Sequence, residues 1–103
     1  KNYKIENLIN VRFPDAFRPD GDGFNDLYGP VFGPEEEIVE YSMYIYNEYG
    51  MIVFSTKRPE EQWNGKIRNT NEECEMGIYH AVFRIRNKDN VYIEKKSRVT
   101  LLK

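Results

Sequence analysis

From Gly77 to Arg86 the side chains alternate in type. Tyr79, Ala81, Phe83 and Ile85 fall on one face, and Ile78, His80, Val82 and Arg84 on the other. A period of two belongs to a strand, and no segment of the chain carries a convincing period of 3.6. The alternation recurs in Ile9, Val11 and Phe13, which are separated by Asn10 and Arg12 and end at Pro14. It recurs again from Ile38 to Tyr46, where Tyr41, Met43 and Ile45 share a face opposite Tyr44 and Tyr46. Met51 to Ser55 reads as the returning strand of a hairpin. Its connection is Asn47-Glu48-Tyr49-Gly50, because Gly50 accepts the positive φ that such a turn needs. Asn87-Lys88-Asp89-Asn90 is a turn by composition. Val91–Ile93 and Arg98–Leu102 form a last strand or pair of strands. The glycine- and proline-rich stretch from Pro19 to Pro34 reads as loop, and residues 57–76 as polar connection anchored at Trp63-Asn64-Gly65. Short strands between turn signals predict an all-β, antiparallel sandwich of about seven strands.

A chain of 103 residues fits one domain. Residues 1–10 read as a lead-in from a larger protein, and 11–103 as the domain itself. Eight Tyr and six Phe reinforce the β assignment, since these residues suit a half-buried pleated surface. A net charge of −2 provides no basic footprint for nucleic acid. No apolar stretch approaches the roughly 20 residues that span a bilayer as a helix. Glu35-Glu36-Glu37 reads as a solvated loop. The single cysteine, Cys74, has no partner for an internal disulfide, and Glu72, Glu73 and Glu75 around it should raise its pKa.

Catalysis is not expected. Nucleophilic chemistry needs a nucleophile, a base and an orienting group that converge. The only histidine, His80, lies in mid-strand, and one His with one Cys cannot make a zinc centre without many carboxylates. No pair among the 17 acidic residues is singled out by its spacing as a glycosidase pair.

The most distinctive local sequence is Asp20-Gly21-Asp22-Gly23-Phe24-Asn25-Asp26. Carboxylates between glycines suit a hard cation, and calcium is the cofactor to consider, with Asp20, Asp22, Asn25 and Asp26 as ligands. An EF-hand is excluded, because Asn25 stands where its glycine is required and Val31 where its glutamate is required. The other reading is a stack of tight turns whose Asp and Asn side chains bond nearby amides.

Five blocks in order resemble one family. Phe17-Arg18-Pro19-Asp20-Gly21-Asp22-Gly23-Phe24-Asn25-Asp26 is similar to its opening "aFTPNGDGxND". Ile45-Tyr46-Asn47-Glu48-Tyr49-Gly50 is similar to "IYNRWG", and Val53-Phe54-Ser55 to "VFxS". Trp63-Asn64-Gly65 stands for "WDG", Gly77-Ile78-Tyr79-His80-Ala81 for "GvYyY", and Val99 to Lys103 for a terminal "vtLlr". The family is the gliding motility-associated C-terminal domain, the type B sorting domain of the type IX secretion system. The resemblance implies an Ig-like fold at the end of a large secreted or surface protein. It also implies a non-catalytic role in directing that passenger through the periplasm and across the outer membrane to the cell surface or the extracellular space. The implied partners are the N-terminal passenger and a secretion-system or outer-membrane protein. The domain itself is expected to be monomeric and not membrane-spanning. There are departures: Glu48-Tyr49 replaces Arg-Trp and reverses a charge at the hairpin tip, Asn64 replaces Asp, and Ser97 stands where glycine is common.

A sorting signal read after folding should be a surface, and loops on a rigid sandwich supply one. Glu48, Tyr49 and Gly50 are therefore the expected partner-binding residues, beside the acidic loop. Trp63 is expected to plug the core. The rival classes are a carbohydrate-binding or adhesin sandwich, which would need two aromatic rings on one exposed face, and a spacer domain that only stiffens a stalk.

Overall fold

The computed structural model describes residues 9–23, 26–68 and 70–103. It is all-β, with seven strands and no helix among these residues. The strands are β1 (Val11–Arg12), β2 (Ala16–Phe17), β3 (Val31–Phe32), β4 (Ile38–Tyr46), β5 (Ile52–Thr56), β6 (Gly77–Asn87) and β7 (Tyr92–Leu101). A five-stranded sheet runs in the order β2-β7-β6-β4-β5, and β1 and β3 form a small second sheet. Val11, Phe13 and Phe32 pack against the core that lies on the large sheet's inner face. This is the expected sandwich, with unequal layers.

The long strands obey the period-two rule. Met43, Ile45, Phe83 and Ile85 are fully buried, and Tyr41, Tyr79 and Ala81 nearly so. His80 and Arg84, on the opposite face of β6, are exposed. Register locks the pattern: Met43 pairs with Phe83, Ile45 with Ala81, and Tyr79 with Val99. Trp63 plugs the core as expected, with no exposed surface. Its backbone exchanges two hydrogen bonds with Tyr28 (2.8 and 2.9 Å), and its indole Nε1 donates to the Lys66 carbonyl at 2.9 Å. Around it Phe17 and Tyr79 each stand 5.2 Å away between ring centres. A buried polar tip on an aromatic ring needs such a partner.

Several boundaries differ from the sequence reading. The first strand is confined to Val11–Arg12, because Pro14 breaks the ladder and the chain then crosses to the large sheet. There β2 pairs with β7 in parallel, Ala16 opposite Thr100 and Phe17 opposite Leu101, while every other pairing is antiparallel. β2 and β3 are two residues each, too short to show a period, and they went unread as strands between prolines. The two terminal segments are one strand, β7, whose middle residues Lys95 and Lys96 are exposed and hid its continuity. A bulge between Ile45 and Tyr46 leaves Val53 without an opposite residue, so that Val53 and Phe54 both face inward.

Candidate functional site

Loops gather where β4 turns into β5 and β6 begins. Asn47 builds the turn: its Oδ1 accepts the amides of Tyr49 (2.9 Å) and Met51 (3.0 Å), and Gly50 closes it at φ 80°. The tip projects into solvent, and Tyr49 is 80% exposed.

A second segment lies alongside. Asn64 Oδ1 accepts the Lys66 amide at 3.1 Å, and Gly65 turns at φ 84°. Lys66 then bridges to Glu73, Ile67 N donates to the Glu72 carbonyl (2.8 Å), and Cys74 N donates to the Gly65 carbonyl (2.8 Å). Residues 72–76 are thus laid against the Trp63 segment. The Tyr79 hydroxyl pins them to the sheet by donating to the Glu75 carbonyl at 2.7 Å.

Between tip and segment lies a cleft of about 360 Å³, lined among others by Glu48, Tyr49, Glu72, Cys74, Glu75 and Met76. Its electrostatics are negative. Burial pushes the Tyr79 hydroxyl up to about 12, Cys74 beside it pushes the same way, and the charges of Glu75 and Glu48 add the least. Burial also raises the Cys74 pKa, with Glu72 a lesser contributor. The direction is the one expected from the sequence, but desolvation and not the neighbouring carboxylates is the principal cause. Cys74 is buried, and His80 stands on the opposite face of the sheet. Tyr44 and Tyr46 share that outward face, each half-buried.

The acidic loop is brought together as expected. One carboxylate oxygen each from Asp20, Asp22 and Asp26 lies within 4.8 Å of the others. Asn25, the fourth residue of that set, lies outside the described residues. Such oxygens fit calcium chemically. Both Asp26 oxygens are, however, already used within the loop: Oδ1 accepts the Gly21 amide (3.0 Å) and Oδ2 the Gly23 amide (2.8 Å). Asp20 Oδ1 accepts the Asp22 amide at 3.1 Å. These bonds brace the turn.

Sequence reasoning placed Glu48, Tyr49 and Gly50 correctly at an exposed tip but missed its neighbour. Glu72, Glu75 and Met76 were read only as polar connection. The available signal was Met76, an apolar residue among acids just before the strand that Gly77 opens, where burial could not be assumed.

Comparison with known proteins bears on this arrangement. The family model for the CHU_C type IX secretion signal domain matches residues 11–101, from β1 to the end of β7. The chain belongs to this family. No curated protein matches the sequence. Among solved structures, the crystal structure of CopC from Methylosinus trichosporium OB3b is similar, with a TM-score of 0.56 at 21% identity. The match covers 91% of this chain and 90% of that one. At that identity the likeness concerns the fold, and it shows that the sandwich is shared outside secretion signal domains.

Proposed function

We propose that this domain is a C-terminal sorting module, recognised as a folded surface, that directs an N-terminal passenger across the outer membrane to the cell surface or medium. The observation that carries the reading is the family match over residues 11–101. Two features of the fold support it. Trp63 and the rings around it make a rigid frame from which short loops project, and rigid frames hold recognition loops at low entropic cost. At the hairpin tip the Tyr49 side chain is 80% exposed and makes no hydrogen bond among the described residues. The partner is a protein of the secretion machinery, and Glu48, Tyr49 and Gly50 are the residues proposed to meet it.

The test is fusion of residues 1–103 to a periplasm-directed fluorescent passenger in a host with type IX secretion. Fluorescence on the cell surface or in the medium is expected. Retention in the periplasm would refute the sorting reading.

A second reading, an aromatic platform for glycans, draws on Tyr44 and Tyr46 sharing one outward face. It requires glycan binding that Tyr44→Ala and Tyr46→Ala each weaken. For the Asp20–Asp26 loop we propose a hydrogen-bonded turn, with calcium as the competing occupant. Melting with chelator and again with millimolar calcium separates them: a turn shows no shift, whereas a saturated calcium site adds a few kcal/mol, several degrees in Tm.

A further inference from the structure

Among the described residues nine large apolar side chains are exposed, and five of them belong to the hairpin and the start of β6: Tyr49, Met51 and Ile52 on the hairpin, Met76 and Ile78 where β6 begins. Tyr49, Met76 and Ile78 line the same cleft of about 360 Å³. Single exposed apolar residues need no explanation, but a cluster at a concave site does. The rim adds a second, independent feature. Among the described residues the carboxylates of Glu48, Glu72 and Glu75 have no ion-pair partner, and the nearby Lys103 is taken by Glu73 at 3.2 Å. Apolar contact surface beneath unneutralised carboxylates is the complement of an arginine or lysine side chain. Such a side chain lays its aliphatic stem on Met76, presents its charge to the glutamates, and can stack on the Tyr49 ring.

We infer that this cleft is the docking site for a cationic protein segment, one that carries arginine or lysine next to an aliphatic or aromatic residue. The inference rests on the sorting reading for the partner's identity, but not for the chemistry of the cleft. The surface is small, which suits a weak, reversible encounter during transport more than a permanent interface. Its charges set the encounter rate and the choice of partner more than the depth of binding.

Two experiments test it. In the first, two synthetic peptides of equal length, alternating leucine–arginine and leucine–glutamate, are titrated into the 103-residue chain, with backbone amide resonances followed by NMR. The leucine–arginine peptide should shift Tyr49, Met76 and Gly77. The double variant Glu48→Gln/Glu75→Gln should weaken it at least tenfold, while Glu37→Gln/Glu60→Gln, away from the cleft, should stay within twofold. Equal binding of both peptides, shifts confined to other surfaces, or indifference to Glu48→Gln/Glu75→Gln overturns the inference.

In the second, the passenger fusion carries Glu48→Lys/Glu75→Lys, and its melting temperature is measured alongside. Loss of export at unchanged melting temperature is expected. If the unaltered fusion is exported and the charge-reversed one equally so, the cleft inference fails and sorting stands. If even the unaltered fusion is retained, sorting fails and the peptide titration alone decides the cleft.

Discussion

Two turns in this domain use one backbone solution and put it to different ends. At the β4–β5 tip Asn47 Oδ1 accepts the amides of Tyr49 and Met51, and at the β6–β7 turn Asn87 Oδ1 accepts those of Asp89 and Val91, all at 2.9–3.0 Å. The ladder closes in the same way, with Asn47 N donating to Met51 O and Asn87 N to Val91 O. The fourth residue is left-handed in both, Gly50 at φ 80° and Asn90 at φ 68°. The surroundings diverge. Asn87 is buried, its Nδ2 donates to Glu36 Oε1 at 3.1 Å, and Lys88 N donates to the Glu37 carbonyl at 2.9 Å, tying that turn to the loop before β4. Around Asn47 the side chains of Tyr49, Met51 and Ile52 are left in solvent. Turn chemistry thus accounts for the shape of both loops. What it leaves over at the first, an apolar and acidic surface, is where recognition has to be sought.

If that division is right, the buried turn should matter more to stability. Asn87→Ala removes the oxygen that accepts two backbone amides, and the bond to Glu36, from a buried site, a loss of about 2–3 kcal/mol. Urea melts should show a lower midpoint at unchanged slope. Asn47→Ala removes the corresponding oxygen at an exposed tip, where water can satisfy the two amides, and should cost about 1 kcal/mol, some 4–8 °C in a domain of this size. Equal losses would mean that the two turns are not differently embedded. The fourth position sharpens the comparison further. Gly50→Ala should cost about 1 kcal/mol, because a Cβ strains a positive φ. Gly50→Asn should stay within about 0.5 kcal/mol, because asparagine tolerates this region and Asn90 already occupies it in the sister turn. Thermal melts of the two variants side by side provide the check.

The parts legible in the sequence were those where a long period or a turn residue carries the signal. β4 is legible residue for residue, since Tyr41, Met43 and Ile45 leave one consistent face, the Asn47 turn is legible from Gly50, and the Asn87 turn from composition. The burial of Trp63 followed from the size of its ring. The two-residue strands were not legible, because Ala16–Phe17 and Val31–Phe32 have no period of their own and exist only through pairing with Thr100–Leu101 and Val11–Arg12. The candidate site was half legible for the same reason. Glu48 and Tyr49 are local to their turn. Glu72, Glu75 and Met76 are placed at the cleft by contacts that no period or turn residue signals, the Lys66–Glu73 bridge and the Tyr79 hydroxyl on the Glu75 carbonyl.

The smallest expected change in stability carries the largest consequence for function. Tyr49→Ser removes a ring that is 80% exposed and makes no hydrogen bond through its side chain among the described residues. Its backbone amide still reaches Asn47, so the turn keeps its geometry, and a surface change of this kind lies within about 0.5 kcal/mol. Melting should therefore be indistinguishable from that of the parent chain. The ring lines the cleft, and the glutamates beside it predict what covers it. Export of the fused passenger should fall, and the leucine–arginine peptide should bind more weakly, both without loss of folded protein. Serine at the equivalent position of the sister turn, Asp89→Ser, should change neither export nor peptide binding, because Asp89 is not among the residues that line the cleft. If Tyr49→Ser and Asp89→Ser behave alike in both assays, the two turns differ only in how they are anchored, and the hairpin tip is a turn and nothing more.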